Sequence, residues 1–188
     1  MNKQDYLYLG CFLNKTASYY KCNPLKADPI RILKDHFEFD EPKGHIEAFN
    51  DFCRAALNDH FNWNNGSPGN AAYYGEKLEL LIEAAYLIHD KSKKYQLKKR
   101  HATAISIQFM PMPLNAAEFN NPLIYFKRFF DYQPLSHWKK TLTALSSACI
   151  SNFSAAEEVE LSDLLESYNR IQKLFYAAWR LLELLEKE

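Results

Sequence analysis

Residues 28–39 read DPIRILKDHFEF, and 93 positions further on residues 121–132 read NPLIYFKRFFDY. Each stretch opens on an Asx-Pro pair, which combines a preferred helix N-cap with proline at the first helical position. Apolar side chains then recur at helical spacing in both. The two stretches therefore predict two short helices at equivalent places in a duplicated chain.

The same offset of 93 residues continues to match apolar positions further along the sequence. It pairs the apolar face of residues 49–57 with that of residues 142–150, and the face of residues 78–86 with that of residues 171–179. Self-similarity at one fixed offset is the sequence signature of an internal repeat and decides the architecture. We therefore expect an all-α bundle in which two similar three-helix units are related by a pseudo-two-fold axis.

A single compact domain spanning residues 1–188 is expected, with one unit at about residues 1–93 and the other at about 94–188. A capping box at Ser154 and Glu157 is expected to introduce the last helix. The long third helices of the two units are expected to form a central seam, because their apolar residues follow three-four spacing. The helices are predicted at about residues 29–39, 46–57, 71–89, 122–130, 138–149 and 161–185, with a turn at 40–44 and a loop at 61–70.

Two segments do not fit the helical pattern. Residues 6–13 and 104–110 are short and apolar, and residues 104–109 alternate as a strand does. These segments could form a minor two-strand pairing with each other. Otherwise they are extended segments or helix pieces packed over the bundle.

Composition and charge narrow the class of protein. The chain has 188 residues, 47% of them apolar and 15% aromatic, against only 5 glycines. This composition is typical of a packed globular protein. Because 23 Lys and Arg balance 23 Asp and Glu, no overall field favours nucleic acid or an anionic membrane. Binding to either would need a local patch.

Cysteine spacing points to the cellular compartment. Cys11, Cys22, Cys53 and Cys149 form no C-x-x-C pair, and none has histidine at zinc-finger spacing. We interpret them as reduced thiols of a cytoplasmic protein. The apolar run near the start of the chain is too short to span a membrane.

Motifs for metals, cofactors or catalysis do not emerge. None of the six histidines has an acidic residue three positions before it, as a di-iron bundle would require. No metal, cofactor or catalytic residue is therefore predicted. Glu79 and Glu83 lie one helical turn apart and could act as paired carboxylates, although such a pair is more often a solvated helix face.

The most basic stretch of the chain is residues 91–101, which hold six basic side chains and no acid. It could contact phosphates or an acidic protein surface, with Tyr95 available for stacking. Alternatively it is a helix C-terminus that favours cations and continues into a solvated connector. Nucleic-acid binding is thus possible but not favoured. The candidate binding residues are Lys93, Lys94, Tyr95, Lys98, Lys99 and Arg100.

A second candidate site is a pocket between the two units lined by aromatic side chains. Its candidates are Trp63, Tyr73, Tyr74, Trp138 and Trp179. Aromatic residues at helical spacing more often belong to the core. The leading hypothesis is a non-catalytic cytoplasmic module, monomeric or homodimeric, that binds a protein or peptide. The alternative is an enzyme or ligand-binding protein with its pocket between the units.

Overall fold

The computed structural model describes residues 13–58, 61, 67–95, 113–151, 153–157 and 159–186. Within these ranges the regular structure is helical and contains no strand. The prediction of an all-α fold is therefore confirmed. The helices are α1 Asn14–Tyr20, α2 Pro29–His36, α3 Pro42–Leu57, α4 Pro68–Asp90, α5 Ala116–Asn120, α6 Leu123–Tyr132, α7 Leu135–Ile150 and α8 Leu161–Glu186.

The two Asx-Pro pairs both lie at helix starts, as predicted. The position at which the helix begins, however, differs by one residue relative to the proline. The Asp28 carboxylate accepts a hydrogen bond from the Ile30 backbone N–H at 3.1 Å. The Asn121 side chain accepts one from the Leu123 N–H at 3.2 Å. In α2 the proline is the first helical residue, whereas Pro122 is the N-cap of α6.

Three helices begin earlier than the sequence predicted: α3, α4 and α7, the last at Leu135 directly after Pro134 rather than at about residue 138. Proline at the first helical position explains the first two. Helix α3 starts at Pro42 within the expected turn, and α4 starts at Pro68 within the expected loop. Proline at the first helical position loses no hydrogen bond, because the first N–H groups of a helix have no partner inside it. Ser67 completes the α4 start by accepting a hydrogen bond from the Asn70 N–H.

The predicted capping box is only half formed: the Glu157 side chain accepts a hydrogen bond from the Ser154 N–H at 3.5 Å, whereas the Ser154 hydroxyl accepts one from the Ala156 N–H. It lies at the 3-10 turn Ala155–Glu157, and α8 begins later, at Leu161. Two short helices, α1 and α5, were not predicted. The first turn of α5 carries its own capping box, in which Asn115 and Glu118 exchange hydrogen bonds of 3.0 Å. Helices of five to seven residues are too short to show a periodic apolar face, so the sequence pattern missed them.

The long helices do not form the expected seam. Helix α4 packs most extensively against α7 and α2, while α8 packs mainly against α3 and α6. Close packing of α4 on α7 depends on Gly75, where an added Cβ would lie 2.2 Å from the Ser146 Oγ atom. Fully buried Ala84 and Ala85 also keep this helix narrow in the core.

Large aromatic side chains fill the centre of the bundle. The Trp138 ring stacks on Phe129 with centroids 4.0 Å apart, and neither ring is exposed. Among the described residues, none of the helices combines the length and the apolar character needed to cross a membrane. The segments considered for strands, 6–13 and 104–110, lie outside the described residues except for the buried Leu13.

Candidate binding groove

A groove of about 440 Å³ runs between α3 and α8 and is closed at its base by Leu145 of α7. We call it the α3–α8 groove. The α3 wall spans Phe49 to Leu57 and the α8 wall spans Leu161 to Ile171, which corresponds to a length of about 12–15 Å along the helices. The remaining lining residues are Asn50, Cys53, Arg54, Leu164, Leu165, Ser167 and Tyr168.

One end of the α3–α8 groove carries exposed leucines. Leu161 is 64% exposed, Leu165 60% and Leu57 41%, and they lie beside the buried Leu164 and Leu145. Scattered exposed apolar residues are ordinary, but a cluster that continues into an apolar groove marks a binding surface. The groove therefore offers both protruding apolar side chains and a recess.

The other end of the groove is polar. The Asn50 side-chain oxygen accepts hydrogen bonds from the Tyr168 hydroxyl at 2.8 Å and from the Gln172 amide at 3.1 Å. Burial raises the pKa of the Cys53 thiol in this wall to about 12, so the thiol stays protonated and is a poor nucleophile. Cys53 therefore does not supply a thiolate nucleophile to this groove.

A second, smaller recess of about 320 Å³ lies between α4 and α7, and we call it the α4–α7 groove. It is more polar than the first, and α1 contributes Lys15 to its edge. The Lys15 ammonium pairs with Glu76 at 2.7 Å. The other lining residues are Asn14, Ala72, Gly75, Glu79, Leu142, Thr143, Ser146, Ser147 and Ile150.

Glu79 and Glu83 take part in a buried ion cluster, so the expectation of a solvated helix face is wrong. Glu83 is fully buried, and the Lys139 ammonium of α7 lies 2.7 Å from a carboxylate oxygen of each glutamate. The second Glu83 oxygen accepts a hydrogen bond from the Thr16 N–H at 2.7 Å, and the first accepts one from the Lys15 N–H at 3.2 Å. Glu83 thereby binds the free N–H groups at the start of α1, as an N-cap side chain would.

This cluster fastens three helices together and encloses the Glu83 carboxylate. A general base must reach a substrate proton, whereas Glu83 is enclosed and its oxygens already accept bonds from α1 and α7. The role that follows from the geometry is structural, because the cluster joins α1, α4 and α7.

The basic candidate residues are only partly within the described chain. Lys93 and Lys94 are exposed on the 3-10 turn Ser92–Tyr95, whereas the Tyr95 ring is buried. Base stacking on Tyr95 would require the ring to leave its packed position. Lys98, Lys99 and Arg100 lie outside the described residues.

The aromatic candidates do not come together around a pocket. Trp138 lies in the core, where its indole N–H donates to the Phe129 carbonyl oxygen at 3.3 Å. Tyr73 is 55% exposed, and Tyr74 is partly buried with its hydroxyl donating to the His45 carbonyl oxygen at 2.8 Å. Trp179 packs edge-on against Phe37. Trp63 lies outside the described residues, and the other four do not line either groove.

Sequence reasoning missed the α3–α8 groove. The apolar three-four pattern of α8 includes Leu161, Leu164 and Tyr168, and Leu165 falls outside it. Leu165 is largely exposed on the groove, but Leu174 and Leu181 also fall outside the pattern and are fully buried. Position relative to the apolar stripe therefore does not identify the exposed leucine.

Metal binding and homology give no further assignment. Within the described ranges, no three His, Cys, Asp or Glu side chains are grouped as a metal site would require. Comparison of the chain with protein-family models, curated proteins and solved structures gives no match in any of the three.

Proposed function

We propose that this protein is a non-catalytic helical module that binds an amphipathic helix of a partner protein in the α3–α8 groove. The observation that carries the proposal is the continuous apolar surface formed by the exposed Leu57, Leu161 and Leu165 and the recess beside them. A groove of about 12–15 Å accommodates two to three helical turns, with anchors spaced i, i+3 or i+4, and i+7.

The charge of the groove rim favours a protein partner with an apolar binding face over a highly charged partner. Its charged lining residue is Arg54, which is paired with Asp51 at 3.6 Å. Lining groups of the α4–α7 groove, by contrast, are engaged in the Lys15–Glu76 and Lys139–Glu79 pairs. The α3–α8 groove therefore favours an uncharged apolar helix face.

The proposal is tested by capture of partners from a native lysate with matched variants. Leu165→Glu places a charge on the groove wall and should abolish capture of the specific partner. Phe39→Glu is the control, because Phe39 is 90% exposed and does not line the groove. Sedimentation velocity of the free protein separates partner binding from self-association. Equal capture by both variants and the wild type would contradict the proposed site.

We also propose that the chain is an internal duplication in which α2, α3 and α4 correspond to α6, α7 and α8. The helix contacts support this correspondence, because each contact has an equivalent when every helix is replaced by its counterpart in the other half. The α4–α7 contact then corresponds to α8–α3, α2–α4 to α6–α8, and α4–α6 to α8–α2. Superposition of the two halves in an experimental structure is the test, and unrelated helix placements would contradict it.

The two grooves give this duplication independent support, because their linings correspond at the offset of 93 residues. Five positions of α3 correspond to five of α7, and two of α4 correspond to two of α8. The pairs are Phe49 and Leu142, Asn50 and Thr143, Cys53 and Ser146, Arg54 and Ser147, Leu57 and Ile150, Ala72 and Leu165, and Gly75 and Tyr168. On this proposal the α3–α8 groove lies between the two units.

A second candidate function is the binding of a small apolar ligand in the same groove. The groove volume of about 440 Å³ favours it, since ligand pockets commonly measure roughly 300–1,000 Å³. Native mass spectrometry of the protein as purified is the test, because a retained ligand adds a discrete mass that Leu165→Glu should remove.

We further propose a reducing, cytoplasmic location. The unpaired Cys22, Cys53 and Cys149 support it, because free thiols persist where disulfides are not formed. Quantitative thiol titration of the protein isolated under conditions that block exchange is the test. A disulfide in the isolated protein would contradict the proposal.

A further inference from the structure

Two neutral imidazole rings stack where α2, α3 and α8 meet. The rings of His36 and His45 have centroids 4.5 Å apart and planes inclined by 22°. Both also stack on Phe175 of α8, at 5.9 Å and 5.7 Å. The Nε2 atoms of both histidines are shielded from solvent and have no hydrogen-bond partner among the described residues. A protonated ring would need a partner for each N–H, so this packing accommodates only the neutral forms.

The surroundings of the two histidines lower their pKa values, and Asp40 is the one group among the described residues that opposes this. Burial, with smaller contributions from His45 and the Lys77 ammonium of α4, lowers the pKa of His36 to about 3. Burial also lowers the pKa of His45, against the opposing effect of Asp40 in the connection before α3. From α8 the neighbours are the uncharged Phe175 and Trp179, the latter reaching the pair through Phe37. No facing charge among these neighbours compensates a proton on His36.

The histidine pair is linked to the groove through contiguous rings. Phe175 contacts Phe49 edge-on at 6.0 Å, and Phe49 stacks on Tyr168 at 5.5 Å. The Tyr168 hydroxyl then donates to Asn50. Phe49, Asn50 and Tyr168 line the groove, so the pair and the groove wall belong to one α3–α8 contact.

We propose that proton uptake by His36 and His45 opens the contact between α3 and α8 and so disassembles the α3–α8 groove in mildly acidic conditions. The inference rests on the proposed function, since it assigns a control to the same groove. The stacked pair acts as a latch: closed when both rings are neutral, released when they are charged.

Linkage sets the size of the effect. In the closed state both pKa values are lowered, whereas hydrated rings in an opened state titrate near about 6.5. The closed state is therefore favoured above that pH and loses its advantage as the pH falls. His36, whose closed-state pKa is lowered to about 3, then shifts the ratio of open to closed by roughly 10-fold between pH 7.5 and 5.5, and His45 adds to the shift in the same direction.

Amide hydrogen exchange of the full chain measures this ratio directly. After correction for the intrinsic rate, the protection factors of α3 amides should fall by at least roughly 10-fold from pH 7.5 to 5.5, while those of α7 fall much less. In His36→Phe/His45→Phe the rings still stack but do not titrate, so the α3 amides should keep their protection. His137→Phe is the matched control, because His137 is exposed on α7.

Two results would overturn the proposal: equal loss of protection in α3 and α7, which indicates global destabilisation, or His36 and His45 ring signals that titrate near their ordinary pKa in the folded protein. Should the double Phe variant fail to fold, the wild-type titration with single His36→Phe gives the same decision. Neither readout involves a partner. If hydrogen exchange shows no pH-dependent opening but capture still depends on Leu165, the latch is contradicted and the proposed function is not. If the opening is observed but capture does not depend on Leu165, the proposed function is contradicted and the latch is not.

Discussion

Replacement of Lys139 by methionine should destabilise the protein far more than an ordinary surface salt bridge would suggest. Lys139 lies 2.7 Å from both Glu79 and Glu83, and its side chain is only 13% exposed. Methionine keeps the apolar stem but leaves two negative charges in a buried site. Loss of one member of a buried ion pair typically costs about 3–5 kcal/mol. Because Glu83 keeps its bonds to Thr16 and the Lys15 N–H, we expect about 3 kcal/mol.

Urea unfolding followed by far-ultraviolet circular dichroism measures this loss, which corresponds to a decrease in melting temperature of about 6–12 °C for a chain of this size. Lys127→Met is the matched control. Lys127 pairs with Asp131 at 2.6 Å, but its side chain is 68% exposed, so its loss should cost less than about 0.5 kcal/mol. If both substitutions cost the same small amount, the cluster does not hold α1, α4 and α7 together, and our reasoning about burial is wrong.

Three further predictions concern the core. The folded-state pKa of His36 is lowered to about 3, against about 6.5 in the unfolded chain, so its contribution to stability is complete above about pH 6.5 and is lost as the pH falls. By pH 5 the wild type should lose about 2 kcal/mol more than His36→Phe, which keeps the titration of His45, and urea unfolding at each pH measures the difference. Gly75→Ala should stabilise the Ser146→Ala background by about 0.5–1 kcal/mol, because the obstructing hydroxyl is gone; a double-mutant cycle would expose any remaining clash. Tyr125→Phe should cost about 1 kcal/mol, since its hydroxyl donates to the Arg170 carbonyl oxygen at 2.7 Å; thermal melts showing no loss would contradict this.

The sequence predicted helices best where apolar periodicity was long and a start signal was present. Residues 71–89 and 161–185 correspond closely to α4 and α8. Starts were less accurate, because Pro42 and Pro68 were assigned to turns although proline is also favoured at the first helical position. Local sequence does not distinguish these two uses of proline.

Site prediction failed where the deciding partner is distant in the chain. By spacing alone, Glu79 and Glu83 resemble a solvated helix face. Their partner Lys139 lies on α7, 56 residues after Glu83 in the chain. Trp138 resembles a groove residue by its size, yet its indole N–H finds a partner in the core. Burial of a polar or aromatic group depends on tertiary neighbours, which spacing along one helix does not reveal.

The difference between the two grooves follows from the size of the side chains that face the neighbouring helix. Gly75 and Ala72 let α7 approach α4 so closely that Ser146 lies against the glycine. In α8, 93 positions later in the sequence, the bulky Tyr168 and Leu165 line the α3–α8 groove instead. The gap between α3 and α8 cannot be filled by the short side chains of Cys53 and Ser167, so an apolar recess remains. Protein interiors are normally close-packed, and larger side chains at a few positions would fill such a gap. The gap nevertheless remains beside exposed leucines, and this is the strongest physical reason to regard the α3–α8 groove as a binding surface.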